Sequence, residues 1–376
     1  MLEKYLDEIN KCTRCGFCRV WGWKDVDSVC PVYKYTDGWE TQYPRGRVKL
    51  AKLLTEKKIK ISEKMVDHLL MCTLCGHCKI SCPINIPLDK IFHAIRKEIV
   101  ENDLSDPAHR EMANNVIKDS HPFGNRRRHS YAEKNMSGKI KVLYYPGCNA
   151  NYNAPKIIRA TKSVFAKLQI NYQVLDEDAC CGYPLYESGH ISDMKMAAEE
   201  TLSKIEKYEA DIIVTACPGC LNALKHLYPN ELSLNHNYDI KDISEFLIPL
   251  VNGKLSSHNK TVTWHDPCVL GRHLGIYEEP RNLLKVIPDI NFVEMKLHHE
   301  KSRCCGAPLA EIPRMNELSI QVASERAKEV EEVKAQEVVT SCPACYSNLK
   351  RAVGFNQLDV KVKFLTELIN EVLSDE

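Results

Sequence analysis

The chain has 376 residues, room for two or three ordinary domains, and its 44% hydrophobic and 27% charged residues exclude disorder as its main state. Lys+Arg 51 against Asp+Glu 50 leave a net charge of +1, which excludes a global field for nucleic acid or an anionic membrane. The 18 cysteines are about 5% of the chain, below the roughly 8–10% of small disulfide scaffolds, and in a reducing compartment such thiols read first as metal ligands.

From the N-terminus, MLEKYLDEINK is charged and amphipathic without the apolar core of a signal peptide, and no apolar run reaches about 18 residues. A cytoplasmic chain without a membrane span is expected, at the inner face of a membrane only where a partner holds it. Residues 1–105 read as mainly helical, over 48–57, 61–70 and 88–101. They carry two cysteine groups, Cys12, Cys15, Cys18, Cys30 and Cys72, Cys75, Cys78, Cys82, with Pro31 and Pro83 after the last of each. A cysteine-free stretch from Pro83 to Gly147 follows. Residues 106–138 are read as a linker, because HPFGNRRRHSYAEKNMSGK is rich in turn formers and positive charge. Its Arg126, Arg127 and Arg128 read as a solvated run or as a docking site for a partner subunit.

The remaining ten cysteines repeat. A single Cys, a Cys-Cys-Gly and a Cys-Pro-x-Cys occur as Cys148, Cys180, Cys181, Cys217, Cys220 and again as Cys268, Cys304, Cys305, Cys342, Cys345. The flanks repeat with them: KVLYYPGC matches TVTWHDPC, ACCGYPL matches RCCGAPL, and IIVTACPGCLNALK matches VVTSCPACYSNLK. Two copies of one module therefore lie in tandem, 139–257 and 258–376. Short aliphatic runs at 141–145, 172–175 and 212–215 are separated by helical stretches such as 156–167 and 192–208. The second copy gives strands at 261–264, 292–294 and 338–340 and a helix at 316–333. Strands alternating with helices predict a small parallel α/β unit. The expected fold class is α+β and multidomain, a mainly helical domain followed by two tandem α/β cysteine-rich modules.

The spacing Cys72-x2-Cys75-x2-Cys78-x3-Cys82-Pro wraps three thiolates around one iron–sulfur cube and sends the fourth to a neighbouring cube. In the first group eleven residues, 19–29 with Trp21 and Trp23, replace the usual three before Cys30. The exchange rule assigns one [4Fe–4S] to Cys12, Cys15, Cys18 and Cys82 and the other to Cys72, Cys75, Cys78 and Cys30. Zinc ribbons also open with C-x-x-C, but two such motifs ending in Cys-Pro are hard to build into four-thiolate ribbons. The domain resembles the two-cluster ferredoxin modules of respiratory enzymes and heterodisulfide reductases.

Each later module offers five cysteines where a cubane or a zinc ion needs four. The adjacent pairs Cys180-Cys181 and Cys304-Cys305 suit different irons of an opened cluster, and Gly182 and Gly306 permit close backbone approach. Cys217 and Cys342 stand before Pro at the start of predicted helices, whose N-termini favour thiolate. The C…CCG…CPxC modules resemble the cysteine-rich domains of heterodisulfide reductase, and their attachment behind a two-cluster ferredoxin resembles the fused, D-type form of that enzyme. Trp39-Glu40, Pro44-Arg45-Gly46-Arg47 and His265-Asp266-Pro267-Cys268 with Leu270-Gly271-Arg272-His273 extend the likeness over nearly the whole chain. The resemblance implies a noncubane [4Fe–4S] cluster in each module, fed by the two cubanes, and cleavage of the disulfide of coenzymes M and B between them. Related iron–sulfur proteins that serve flavin dehydrogenases of glycolate, lactate or glycerol 3-phosphate share the layout but often lack some module cysteines. All ten are present here, which favours the disulfide reductase over an electron-transfer subunit.

His265 reads as an acid for a departing thiolate or as a hydrogen-bond partner of a cluster sulfur, with His190 and His273 weaker candidates of the same kind. Arg272 and Arg303 are candidates for holding a sulfonate or phosphate, or for tuning a cluster. His298-His299 has no matching second half. Neither G-x-G-x-x-G nor a Walker loop is present, so electrons are expected from a redox partner, a flavin-containing subunit or a membrane cytochrome b.

Overall fold

The structure is a computed structural model that describes residues 2–19, 28–129 and 142–374. Trp21, Trp23 and residues 130–138 of the expected linker lie outside the described residues. In the helical domain α1 (Leu6–Asn10) precedes α2 (Pro44–Thr55), α3 (Glu63–Leu70), α4 (His77–Ile80) and α5 (Leu88–Glu101). Pro44 opens α2, its fixed φ suiting a first turn. Leu88, Ile91, Phe92, Ile95 and Ile99 of α5 share one core with Val29, Val32, Cys30 and Cys78. The packing that joins the helices therefore also pins the cysteine loops.

The linker reading needs correction over its first half, where α6 (Pro107–Asp119) forms. Asp106 caps it by accepting from the Ala108 amide at 2.9 Å, with Pro107 in the first turn. Met112, Ala113 and Val116 bury into the core of the modules, so this segment is packed structure and not a tether.

The first module runs β1 (Val142–Tyr145), α7 (Gly147–Asn153), α8 (Pro155–Lys167), β2 (Tyr172–Val174), α9 (Tyr183–Ser188), α10 (Ile191–Glu206), β3 (Ile212–Thr215), α11 (Pro218–Asn222), α12 (Tyr228–Glu231), β4 (Asp239–Asp242) and α13 (Ile243–Val251). The second runs β5 (Thr261–Trp264), α14 (Glu278–Lys285), β6 (Asn291–Phe292), α15 (Asn316–Glu332), β7 (Glu337–Thr340), α16 (Pro343–Phe355), β8 (Lys361–Phe364) and α17 (Leu365–Val372). Each forms a parallel four-stranded sheet, ordered β2-β1-β3-β4 and β6-β5-β7-β8. β1 is buried along its whole length, which is why it reads as a continuous apolar run. It pairs Val142 with Tyr172 on one side and with Ile212 on the other. The chain thus winds first to one side of β1 and then to the other, which opens a crevice beyond the carboxyl ends of β1 and β3, and likewise of β5 and β7.

The modules interlock reciprocally. α13 packs on α14 and α17 packs on α8, while α11 meets the turn after Cys268 and α16 meets α7, which carries Cys148. Thr161 Oγ1 donates to Thr366 Oγ1 at 3.0 Å, and Lys167 Nζ donates to the carbonyls of Asn370 and Leu373 at 3.3 and 3.0 Å. No helix among the described residues is long and apolar enough to cross a membrane.

Candidate functional site

Two small voids lie in the helical domain, each lined by four cysteines. Cys12, Cys15, Cys18 and Cys82 surround one, with Val48, Ile86 and Leu88 among its walls. Cys30, Cys72, Cys75 and Cys78 surround the other, with Val32 and Phe92. Each void thus takes one cysteine from the other sequence group, Cys82 in the first and Cys30 in the second. The long first spacer closes at its base, where the amides of Val29 and Cys30 both donate to the Arg19 carbonyl at 3.1 Å. Burial, reinforced by the charges of neighbouring thiols, pushes Cys18 and Cys30 up to about 12. Four soft sulfur donors converging on an apolar hole fit an iron–sulfur cluster, whose positive charge would draw the Cys18 and Cys30 thiols down to thiolates.

In the modules the cysteines gather at the crevices. Cys148 follows β1, Cys180 and Cys181 follow β2, and Cys217 caps α11, which holds Cys220. The Cys181 and Cys220 sulfurs are 3.4 Å apart, and thiol hydrogen bonds join Cys148 to Cys180 and Cys217 to Cys220. The second module repeats this, with Cys305 and Cys345 sulfurs 3.0 Å apart and Cys304 bonded to Cys268 and Cys305. Gly182 at φ +74 and Gly306 at φ +73 are required by crowding as well as conformation, since a Cβ would lie 2.8 Å from Met194 Cγ or from the Ser319 carbonyl oxygen. The expected thiolate preference at helix starts divides. Hydrogen bonds from Cys220 and from the Gly219 and Cys220 amides hold Cys217 below the ordinary thiol value. Cys342 has a similar bond from Cys345, yet burial and the charges of Cys217 and Cys305 raise it.

Residues 8–86 match the 4Fe-4S dicluster domain, and residues 142–225 and 262–350 each match the cysteine-rich CCG domain. The D component of the dihydromethanophenazine:CoB–CoM heterodisulfide reductase of Methanosarcina barkeri is 30% identical over 98% of this chain and 95% of that protein. The chain belongs to the D-type heterodisulfide reductase family. Further relatives of this D-type homologue are the B component of fumarate reductase (CoM/CoB) of Methanothermobacter marburgensis, 28% identical over the whole of this chain and 75% of that one, and a probable glycolate oxidase iron–sulfur subunit of Bacillus subtilis, 24% identical over 95% and 91%. A hypothetical protein from Helicobacter pylori shares the fold, with a TM-score of 0.61 at 11% identity over 88% of this chain and 67% of that one. The chain is thus an iron–sulfur oxidoreductase subunit.

Within this D-type family member the single polar candidates fall in different places. His265 is 1% exposed and accepts at Nδ1 from Arg326 Nε at 3.1 Å. A guanidinium can only donate, so the ring proton sits on Nε2, and the imidazole bonds to the Cys305 thiol. Burial holds it below the ordinary histidine value, and therefore neutral. Arg326 also donates to the Leu297 carbonyl at 2.6 Å and pairs with Glu329, which takes Arg303 Nε at 2.6 Å. Arg303 lines a small pocket with Ser28, Pro31 and His77 of the helical domain, and Arg272 and His273 also face that domain. His190 is tied to Ser105 and Ser188 at 3.0 and 2.9 Å. His298 and His299 lie near Glu294, whose carboxylate is held by Arg281.

Sequence reading missed two carboxyls. Glu187 and Glu311 each stand six residues after the second cysteine of Cys-Cys-Gly, in ACCGYPLYE and RCCGAPLAE, so the repeat itself carried the signal. Glu311 keeps solvent access on one side, while the protein crowded around it pushes it up to about 7, opposed by Arg96. Burial, then the charges of Glu311 and Cys268, raise Glu187. Glu187 lines an open cavity of about 360 Å³ where the helical domain and both modules meet, beside Tyr183, Lys90 and His273.

Proposed function

We propose that the chain reduces a disulfide of two small thiols, of the coenzyme M–coenzyme B type named for its relatives, with electrons supplied by a partner protein. The observation that carries this reading is the doubling of a complete five-cysteine set. The helix of Cys220 packs on the turn after Cys268, and that of Cys345 on the helix of Cys148, so both sets adjoin one interface. A protein that only conducts has no use for a fifth thiol in each module. Under this reading Cys12, Cys15, Cys18, Cys82 and Cys72, Cys75, Cys78, Cys30 hold two cubane [4Fe–4S] clusters, and the ten module cysteines hold two noncubane ones. Such clusters supply one-electron transfer and, in the modules, iron able to bind sulfur.

The chain's own residues do the rest. Cys15 is exposed, as is Ile84 beside it at 40%, which makes that end of the helical domain the intake from a flavin-containing subunit or a membrane cytochrome b. The junction cavity has room for a substrate, and Tyr183 in its wall lies on Gly219, between Cys217 and Cys220. Glu187, which lines this cavity and whose carboxyl is raised by burial and by the charge of Glu311, serves as a proton donor to a product thiol. His265, neutral and bonded to Cys305, steadies that sulfur and is not the acid.

Disulfide reduction with reduced viologen tests the chain alone. Cys181→Ser and Cys305→Ser are each expected to abolish it. Activity surviving either change would refute the need for both modules. A fully loaded native chain inert towards thiol-coenzyme disulfides would establish the electron-transfer role instead.

A further inference from the structure

The helical domain meets the second module at a cysteine. Cys75 and Cys304 share a thiol hydrogen bond, and Arg272 stands beside it. Arg272 lies in a π-helical turn, Val269–His273, directly after Cys268, a widened geometry that recurs at functional positions. Its Nε donates to the Cys75 carbonyl at 2.6 Å, and its Nη1 donates to the Ser302 and Glu300 carbonyls at 2.6 and 3.2 Å. One planar fork thereby ties the Cys75 loop to the segment that leads into Cys304. His273 adds a second hold, its Nε2 lying 3.0 Å from the Leu74 carbonyl. A guanidinium keeps its charge at any ordinary pH, so Arg272 brings a fixed positive charge to this junction.

Among the described residues the first module has no guanidinium at the matching position. Four residues after its lone cysteine the counterpart of Arg272 is Tyr152, which stacks on His121 at 4.3 Å and donates to Asp178 at 2.8 Å. The counterpart of His265 is Tyr145, whose hydroxyl donates to the Ala179 carbonyl. Neutral phenols therefore stand where the second module has a cation and an imidazole N–H. Positive charge and hydrogen bonds to sulfur favour the reduced form of a centre.

We propose that Arg272 is a positioning residue for electron transfer: it holds the Cys75 loop against the Cys304 loop and, by its charge, makes the second module the first of the two to be reduced. This rests on the functional reading only in taking both thiol sets as cluster ligands. One electron leaves the centre held by Cys30, Cys72, Cys75 and Cys78 and arrives at the centre held by the second module. A reduced redox protein supplies it, and no bond or proton moves.

The test reduces the anaerobically loaded native chain, Arg272→Gln and Arg272→Lys stepwise with a viologen and follows them by EPR, with Cys305→Ser identifying the second module's signal. In the native chain that signal develops before the first module's. Arg272→Gln is expected to shift the division of electrons towards the helical domain by roughly tenfold or more, the worth of one charge-assisted hydrogen bond. Arg272→Lys keeps the charge without the fork, so it is expected to keep the order of reduction and to slow passage of the electron in freeze-quenched samples. An unchanged division in Arg272→Gln at full iron content overturns the proposal, as does native-speed passage in Arg272→Lys. Should Arg272→Gln fail to load iron, Arg272→Lys decides. Disulfide turnover of the same native preparation reports separately: its absence refutes the functional reading and leaves the role of Arg272 intact.

Discussion

Gly147 offers a sharp probe of how closely the first module's thiols must converge. It has φ +74, and a Cβ there would lie 2.7 Å from the Cys220 sulfur. Gly147→Ala brings two separable costs. A side chain in the left-handed region loses roughly 1–2 kcal/mol. Ordinary contact begins at 3.4 Å, so the sulfur must also retreat by about 0.7 Å, against a tolerance of about 0.2 Å for a metal–ligand distance. Gly253 isolates the first cost, since it too has φ +74 but nothing lies within 4 Å of a Cβ. On thermal unfolding Gly253→Ala is expected to show the conformational cost alone, and Gly147→Ala a larger loss. Gly147→Ala alone is expected to fall by about four iron from the roughly 16 per chain that the proposed four clusters would carry. Anaerobic iron analysis with EPR makes the measurement, and full iron with native spectra in Gly147→Ala would refute convergence of these thiols on one cluster.

Cys75→Ser should stop turnover fed by the natural partner while the ten module thiols keep their iron; full turnover with that partner would exclude the route through the helical domain. Asp242 caps α13 from a fully buried position, and burial pushes its carboxyl up to about 7. The folded chain therefore holds a proton that the unfolded chain releases near pH 4, and this contribution to stability fades as pH rises from about 4 to 7. Asp242→Asn keeps the cap acceptor, and Oδ2 has no hydrogen-bond partner to lose. The variant is expected to match the native chain near pH 4 and to exceed it by a few kcal/mol at pH 8, read from urea unfolding; a difference independent of pH would contradict the protonated cap.

The repeat and the grouping of thiols were legible because ligand spacing is local and a duplicated module carries its flanks along. β4 and β8 were not, since DIKD and KVKF are short charged edge strands whose partners, not their own pattern, make them strands. α6 had a readable start in Asp106-Pro107, obscured by the basic turn-rich stretch behind it. Arg272 and Arg303 were placed near the site but not aimed: adjacency to a cysteine says nothing about which carbonyl or carboxylate a long side chain will reach. The contact of Cys75 with Cys304 has no local signature, because it exists only once two domains have docked.

The reciprocal seating of α17 on α8 bears on how the protein is made. Thr161 and Thr366 are bonded across a sequence separation of 205 residues. At a synthesis rate of about 5–20 residues per second, the apolar face of α8 waits roughly 10–40 seconds for its cover. During that interval the first module is a half-built sheet with bare thiols, exposed to aggregation and to oxidation. Metal loading of the first module is therefore expected only once α17 has been made, and holdase chaperones that shield nascent chains have their natural target in the stretch around Pro155–Lys167.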